Sequence, residues 1–503
     1  MHVLVTGGTG VVGRPAVDHL LERGHTVRLF SRNAERDAIQ WGDGVEPYAG
    51  SVGSDEDMHG AAEGCEAVLH VVGVVDEAPP EITFDKINVQ GTRRIVEEAK
   101  RAGVERLVYV SSLGADRGKS GYHESKLAGE EIVREFRGNW LICRPGNVYG
   151  PGDQVISLLL KMVRTLPAIP VIGGGDQPFQ PISADDLGAA LALAVEWPDP
   201  SRVVLELAGT EIATMNDLLD MLQMITDQKP RRIPVPEWMA LAGAGIADLI
   251  GMEVPVKSDQ IIMLLEENVI PPERSNAMTE VFGITPRPLA DGLAKLADTL
   301  PEKLLSEGVG ELHCQRFWAD ITGSAMDRGE LFAMIQEDFY TLPPEELLEV
   351  GAEPGTPLTL EEGATLTMGI PLRGHIQVRV EEVADYTITC NTLEGHHLAG
   401  VIRFFVEQHG EQLRFEVRSY SRASCLLDKM GMDAVGRRLQ KATWKSMIKE
   451  VVRRSGGEAV DGVQEELYAL EEADAERVER WVEELVLERR REDKEEENPA
   501  AAL

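Results

Sequence analysis

The first 32 residues constrain this chain more than any other stretch. His2-Val3-Leu4-Val5 is a short apolar run, too short for a helix, and it stops abruptly at Thr6-Gly7-Gly8-Thr9-Gly10-Val11-Val12-Gly13. Behind Gly13, Ala16-Val17 and Leu20-Leu21 recur at helical spacing as far as Gly24. Thr26-Val27-Arg28-Leu29-Phe30 then reads as a second strand. Strand, glycine-rich turn, helix and strand make a βαβ unit, which predicts a parallel sheet.

Glycines at 7, 10 and 13 let the backbone turn tightly, approach a pyrophosphate and pack the helix on the strand. The helix N-terminus supplies N–H groups and a partial positive charge to phosphates. Thr6, Val11 and Val12 complete that turn, so a dinucleotide is the expected ligand. Glycines that merely close a turn are the bland reading, and the strand-turn-helix context argues against it. The end of the second strand selects the cofactor. An acidic side chain there would bond the adenosine ribose of NAD, whereas this chain has Ser31-Arg32, a hydroxyl and a guanidinium suited to a 2′-phosphate. NADP(H) is favoured, with NAD(H) as the alternative and a solvated Arg32 as the bland reading.

At 503 residues the chain should hold two or three domains. Its net charge is −35, and only 14 of its 50 basic residues are lysines. Phosphate repels such a surface, which argues against nonspecific nucleic-acid binding. The same composition fits adaptation to high salt, where screening removes self-repulsion; a melting temperature indifferent to salt would refute that. Five scattered cysteines without CxxC predict reduced thiols, and the first strand leaves no room for a signal peptide, so a cytoplasmic location is expected. The most apolar later run, Trp238 to Ile250, is too short to span a membrane.

Farther on, Ala67 to Val72 reads as a strand ending in Gly73, and Leu107 to Val110 as one that delivers Ser111 and Ser112 at its carboxyl end. Ligands of open parallel sheets sit at that end. Tyr122-His123-Glu124-Ser125-Lys126 opens another helix, and its phenol and ammonium share a face at i and i+4. A tyrosine of ordinary pKa near 10 is a poor acid–base at neutrality, and the neighbouring lysine is expected to pull that value down.

Taken with Asn88-Val89-Gln90-Gly91-Thr92 and Arg144-Pro145-Gly146-Asn147-Val148-Tyr149-Gly150, these motifs resemble the extended or atypical short-chain dehydrogenase/reductases over residues 1–300. The resemblance implies Tyr122 as general acid/base, Lys126 holding the nicotinamide ribose, Ser112 orienting the substrate oxygen and Asn88 supporting a proton relay. It also brings Pro145 and Val148 against the nicotinamide, while Gly73 ends its strand where backbone can approach a dinucleotide. The segments Ile233 to Trp238 and Leu264 to Val269 are similar to the complex I 39-kDa subunit-like branch, which includes proteins that hold NADP(H) without known turnover. Hydride transfer between NADP(H) and a small carbonyl or alcohol substrate is the expected function. Nucleotide-sugar epimerisation or dehydration with bound NAD is one alternative, and a non-catalytic assembly, sensor or lipid-handling role is another.

The predicted fold class is α/β, a Rossmann-like doubly wound parallel sheet over 1–300, with the cofactor mainly on 1–150 and a substrate lobe on 151–300. A linker is expected at 301–312 and an α+β domain over 313–457. Ile376 to Val380, Tyr386 to Cys390, Val401 to Val406 and Leu413 to Val417 read as strands ahead of a long helix from Val435 to Val451. Thr392 to His396, Ser419 to Arg422 and Arg437 to Gln440 resemble an uncharacterised bacterial family, placed with the START-like helix-grip domains. Such a domain implies an apolar ligand; a dimerisation or scaffolding module, and so an oligomer, is the other reading. His396 and His397 would point apart if extended, and no spaced cysteine joins them, so no metal is assigned. From 458 to 503 an acidic, helix-prone tail is expected, with Val478, Trp481, Val482 and Leu485 as an apolar stripe that docks on the body of the protein or on a partner, only charge past Arg489, and disorder from Glu495 to Pro499.

Overall fold

The computed structural model describes residues 1–503 apart from 154, 167, 199–200, 251–257, 299, 345–348, 353–358, 371–373, 425–436 and 498–503. It divides into two compact units, 1–299 and 300–503.

In the first unit seven parallel strands lie in the order β7-β6-β5-β4-β1-β2-β3. They are β1 (His2–Thr6), β2 (Thr26–Ser31), β3 (Val45–Ala49), β4 (Ala67–His70), β5 (Arg106–Val110), β6 (Asn139–Pro145) and β7 (Arg202–Leu207). Alternation on each strand feeds two cores. Val3 and Val5 of β1 face α1 (Gly13–Glu22) and α4 (Ala184–Val195), burying Ala16, Val17, Leu20, Leu187 and Leu191. Leu4 faces the opposite layer, where α2 (Gln90–Ala102) and α3 (Gly121–Arg134) bury Ile95, Val96, Ile132 and Val133. The sheet is doubly wound. The chain runs outward from β1 to β3 and returns to β4 on the other side of β1, so a crevice opens beyond the carboxyl ends of β1 and β4.

The second unit carries a nine-stranded antiparallel sheet. Its strands are β8 (Val309–Thr322), β9 (Glu349–Ala352), β10 (Thr365–Ile370), β11 (Gly374–Ala384), β12 (Thr387–Thr392), β13 (Leu398–His409), β14 (Gln412–Ala423), β15 (Glu458–Ala459) and β16 (Gln464–Ala469). Strands β9 to β14 follow one another, then β8, with β15 and β16 on its far side. Over one face pack α6 (Arg328–Asp338) and α7 (Arg437–Arg454), burying Leu331, Ile335, Met447, Ile448 and Val451 against Phe317, Phe404, Phe415 and Val417. On the other face α8 (Glu472–Glu497) sets Val478, Trp481 and Val482 against Leu312, Val401 and Tyr420.

Two expected boundaries differ from this arrangement. The stretch 301–312 is no free linker: Glu302 is 6% exposed, the Lys303 N–H donates to Thr392, and β8 begins at Val309. Nor is 458–503 a separate tail. Its strands β15 and β16 pair with β8, and α8 is clamped by ion pairs from Arg489 and Arg490 to the buried Glu302 and Glu381. Acidic composition hid this, because the carboxylates face solvent while the backbone finds partners. Glu495 to Glu497 continue α8, while Val435 lies outside the described residues. His396 and His397 stand in a turn with their rings stacked 4.6 Å apart, and among the described residues no cluster fit to hold a metal occurs.

Candidate active site

Between β1 and α1 the glycine turn is as tight as its spacing requires. Gly7 takes φ +73°, and a Cβ there would lie 2.9 Å from the Val72 nitrogen at the end of β4. A Cβ on Gly13 would collide with the Gly7 carbonyl oxygen. Gly10 meets only that same oxygen, at 3.5 Å, which leaves its outer side open. Val12 stands at the N-cap of α1 with no side-chain cap, and Val11 and Val12 are half-buried. In the first turn the Arg14 N–H is taken by the Gly10 carbonyl at 3.0 Å and Pro15 has none, so it is the open glycine face at the positive end of α1 that fits a pyrophosphate. Thr6 is buried instead, its Oγ1 2.6 Å from His70 Nδ1, so its side chain fastens the strand ends.

At the end of β2 the Ser31 hydroxyl donates to Asp37 at 2.6 Å, and Arg36 pairs with the same carboxylate at 3.2 Å. Arg32 is exposed. The short helix Asp55–Met58 after β3 holds a further carboxylate that sequence reading missed: Asp57 accepts the Ser51 N–H at 2.9 Å.

Four predicted catalytic side chains converge at the carboxyl ends of β4 and β5. Lys126 is 3% exposed; its Nζ donates to the Val110 carbonyl at 2.9 Å and lies 5.3 Å from the Tyr109 ring centre. A Cβ on the exposed Gly73 would meet that ammonium, so a side chain there would displace the Lys126 head. Asn88 Nδ2 donates to the Val74 carbonyl at 3.0 Å and to Ser125 Oγ at 2.9 Å, and its Oδ1 accepts the Val74 N–H at 2.8 Å. It ties the chain after β4 to α3. Ser112 is buried after β5 and hydrogen-bonds the Tyr122 phenol. Burial pushes that phenol up to about 12, and the Ser112 bond opposes the rise. The lowering expected from Lys126 is absent: burial dominates, and Lys126 itself falls to about 8 through burial, with Glu130 pulling upward. Pro145 is buried at the end of β6, with Val148 half-buried beyond it.

The helix Ser258–Leu265 (α5) supplies groups that no motif announced. Asp259 accepts the N–H of Gly121 at 2.8 Å and of Tyr122 at 3.2 Å, and so caps the first turn of α3. Glu266, just past α5, pairs with His123 Nδ1 at 3.0 Å. Below Lys126 on the same face of α3, Glu130 is fully buried, accepts the Ser111 hydroxyl at 2.7 Å and pairs with Arg144 through both oxygens, at 2.7 and 2.8 Å. Its i+4 spacing from Lys126 was the available signal.

Comparison with known proteins bears on this geometry. Residues 339–450 match a domain of unknown function (DUF1990). The chain is 31% identical over 250 residues to a ceramide reductase of Caulobacter vibrioides, covering 49% of this chain and 77% of the relative. It is 30% identical over 224 residues to subunit 9 of the NADH dehydrogenase [ubiquinone] 1 alpha subcomplex of Dictyostelium discoideum, covering 43% of this chain and 62% of that protein. An NADPH-dependent quinone oxidoreductase from Escherichia coli, complexed with NADPH, superposes with a TM-score of 0.49 at 18% identity, covering 58% of this chain and 99% of that one. Among the described residues no helix is long and apolar enough to cross a membrane. Residues 3–205, which hold the glycine turn and all four converging side chains, match the family model of the NAD dependent epimerases/dehydratases, and to that family the chain belongs.

Proposed function

We propose that the first unit is an oxidoreductase that transfers hydride between NADP(H) and a carbonyl or alcohol carried on an apolar molecule. The convergence of Ser112, Tyr122, Lys126 and Asn88 beside the glycine turn carries this reading. The likeness to a ceramide reductase supports an apolar substrate. Gly7, Gly10, Gly13 and the first turn of α1 would hold the pyrophosphate, Arg32 a 2′-phosphate, and Lys126 the nicotinamide ribose. The nicotinamide supplies or accepts the hydride. Tyr122 gives its proton to the substrate oxygen in reduction and takes it back in oxidation, while Ser112 orients that oxygen. Asn88 fixes the approach of the chain after β4 to α3. Buried Lys126 holds a positive charge near the phenol once the ribose is engaged, which favours the phenolate against the burial that opposes it.

Tyr122→Phe should lower turnover at least about a hundredfold while cofactor stays bound. Unchanged turnover would remove this mechanism. Native mass spectrometry of the purified protein should show NADP, and Arg32→Asp should weaken NADP binding at least tenfold with NAD little changed. The Asp37 carboxylate beside Ser31 favours a second reading, epimerisation or dehydration of a nucleotide sugar with NAD retained. Co-purified NAD would move the assignment there. NADP held firmly, with no carbonyl or alcohol turned over, would leave a non-catalytic role.

A further inference from the structure

The segment from Arg231 to Gly243 belongs to the lobe expected to hold the substrate, and not one of its 13 residues is buried. It comprises the strand Arg231–Val235 and the first half of the helix Glu237–Ile250. Ile233 is 53% exposed, Trp238 72% and Met239 46%. Single exposed apolar side chains are ordinary on a protein surface; three large ones on one short stretch are not. Along the helix the exposed Ala242 and Gly243 follow Trp238 and Met239 at i+4, so no charge interrupts that face. Glu237, the one acidic residue of the segment, has its carboxylate beside Gly173.

The charge beside this face runs against the rest of the chain. The whole protein carries −35, yet from Lys229 to Ala247 there are three basic residues and one acid. Arg232 is engaged by Asp220. The side chains of Lys229 and Arg231 are exposed and make no ion pair or hydrogen bond among the described residues. Arg231 shares a strand face with Ile233 at i+2, which sets a cation next to an apolar side chain. The strand pairs along one edge only, with the strand Ala168–Ile172. Pro234 and Pro236 take two N–H donors out of this stretch, which lowers the cost of moving it out of water. A partner protein would be met through directional hydrogen bonds around an apolar centre, and this surface offers few donors beyond its two cations.

We propose that this face docks on the surface of a membrane that carries anionic lipid. Ile233, Trp238 and Met239 enter the boundary between headgroups and acyl chains, and Lys229 and Arg231 meet the lipid phosphates. At 14 residues the helix is about 21 Å long, short of the roughly 30 Å hydrocarbon core, so it lies in the interface and spans nothing. The acidic remainder of the surface is repelled by the same lipids, which fixes the orientation of the docked chain. The helix packs against α5, whose Asp259 caps the helix bearing Tyr122. Docking therefore presents the substrate lobe to the phase in which an apolar substrate dissolves. That consequence rests on the proposed reductase; the docking itself does not.

The test is flotation of the 503-residue chain with two kinds of vesicle at low salt, one of phosphatidylcholine alone and one of phosphatidylcholine mixed with phosphatidylglycerol. The mixed vesicles should capture the chain at least about tenfold more tightly than the neutral ones. Trp238→Ser with Met239→Ser should weaken capture at least about tenfold, and Lys229→Gln with Arg231→Gln should remove most of the preference for anionic lipid. All four side chains are exposed, and cooperative melting of each variant checks the fold. Tyr122→Phe should float as the wild type does, which separates docking from turnover. Equal capture by both vesicles, no capture of protein that melts cooperatively, or unchanged capture in folded Trp238→Ser/Met239→Ser would each overturn the assignment. So would a dimer that this double substitution dissolves in protein that ignores vesicles, since the face would then belong to a second copy.

Discussion

Lys126 shows how burial sets the chemistry of a single side chain. Its ammonium pKa falls from the ordinary 10.5 to about 8, chiefly through desolvation. Between those values the unfolded chain keeps the proton and the folded chain releases it, so stability from this group rises with pH from 8 to 10.5 and is lost as pH falls through 8. In cofactor-free protein the denaturation free energy of wild type minus that of Lys126→Met should climb by about 3 kcal/mol across that window. A flat difference would show the ammonium to be well solvated. The four catalytic candidates were legible in the sequence because each sits at a fixed offset from a glycine, a strand end or a helix start. Asp259 and Glu266 were not, since they reach α3 from more than 130 positions away.

Among elements, α8 is the one whose role the sequence disguised. Arg489 lies between Glu381, at 2.6 Å, and Glu302, at 3.3 Å, and Arg379 also pairs with Glu302. Burial and the charge of Glu302 push the Glu381 carboxyl up to about 7, while one of its oxygens has no partner. A raised carboxyl contributes stability that is complete below its ordinary 4.5 and lost as pH rises through 7. Hydrogen exchange in α8 of the wild type should therefore quicken, after correction for intrinsic rates, between pH 4.5 and 7. Glu381→Gln should flatten that trend; an unaltered trend would place its origin elsewhere. Strand β8 escaped sequence reading for a related reason. Leu312 faces α8, whereas Phe317, Ala319 and Ile321 face α6 and α7, so its apolar residues change face midway and the alternation that marks a half-buried strand is broken. The legible strand Leu413 to Val417 keeps its apolar residues in one phase throughout.

At the scale of the whole molecule, the two units are built by opposite rules. Parallel strands buried on both sides read as continuous apolar runs, and β1, β4 and β5 of the first unit were legible on that basis, whereas β6 and β7 were not. The antiparallel sheet of the second unit borrows its last strands from a segment whose composition is that of a solvated tail. The consequence concerns β8. Its 14 residues have β14 on one side only, and on the other side β16 covers His313 to Trp318 and β15 covers Ile321 and Thr322. A chain ended after Arg454 should expose that long edge and associate into oligomers absent from the 503-residue chain, as light scattering would register; an unchanged mass would refute this. In the 503-residue chain the long strand outermost on that side is six residues long and carries Glu465 and Glu466, a poor template for another molecule's backbone. The acidic terminus is in this sense a guard against aggregation, placed where the sheet would otherwise keep growing.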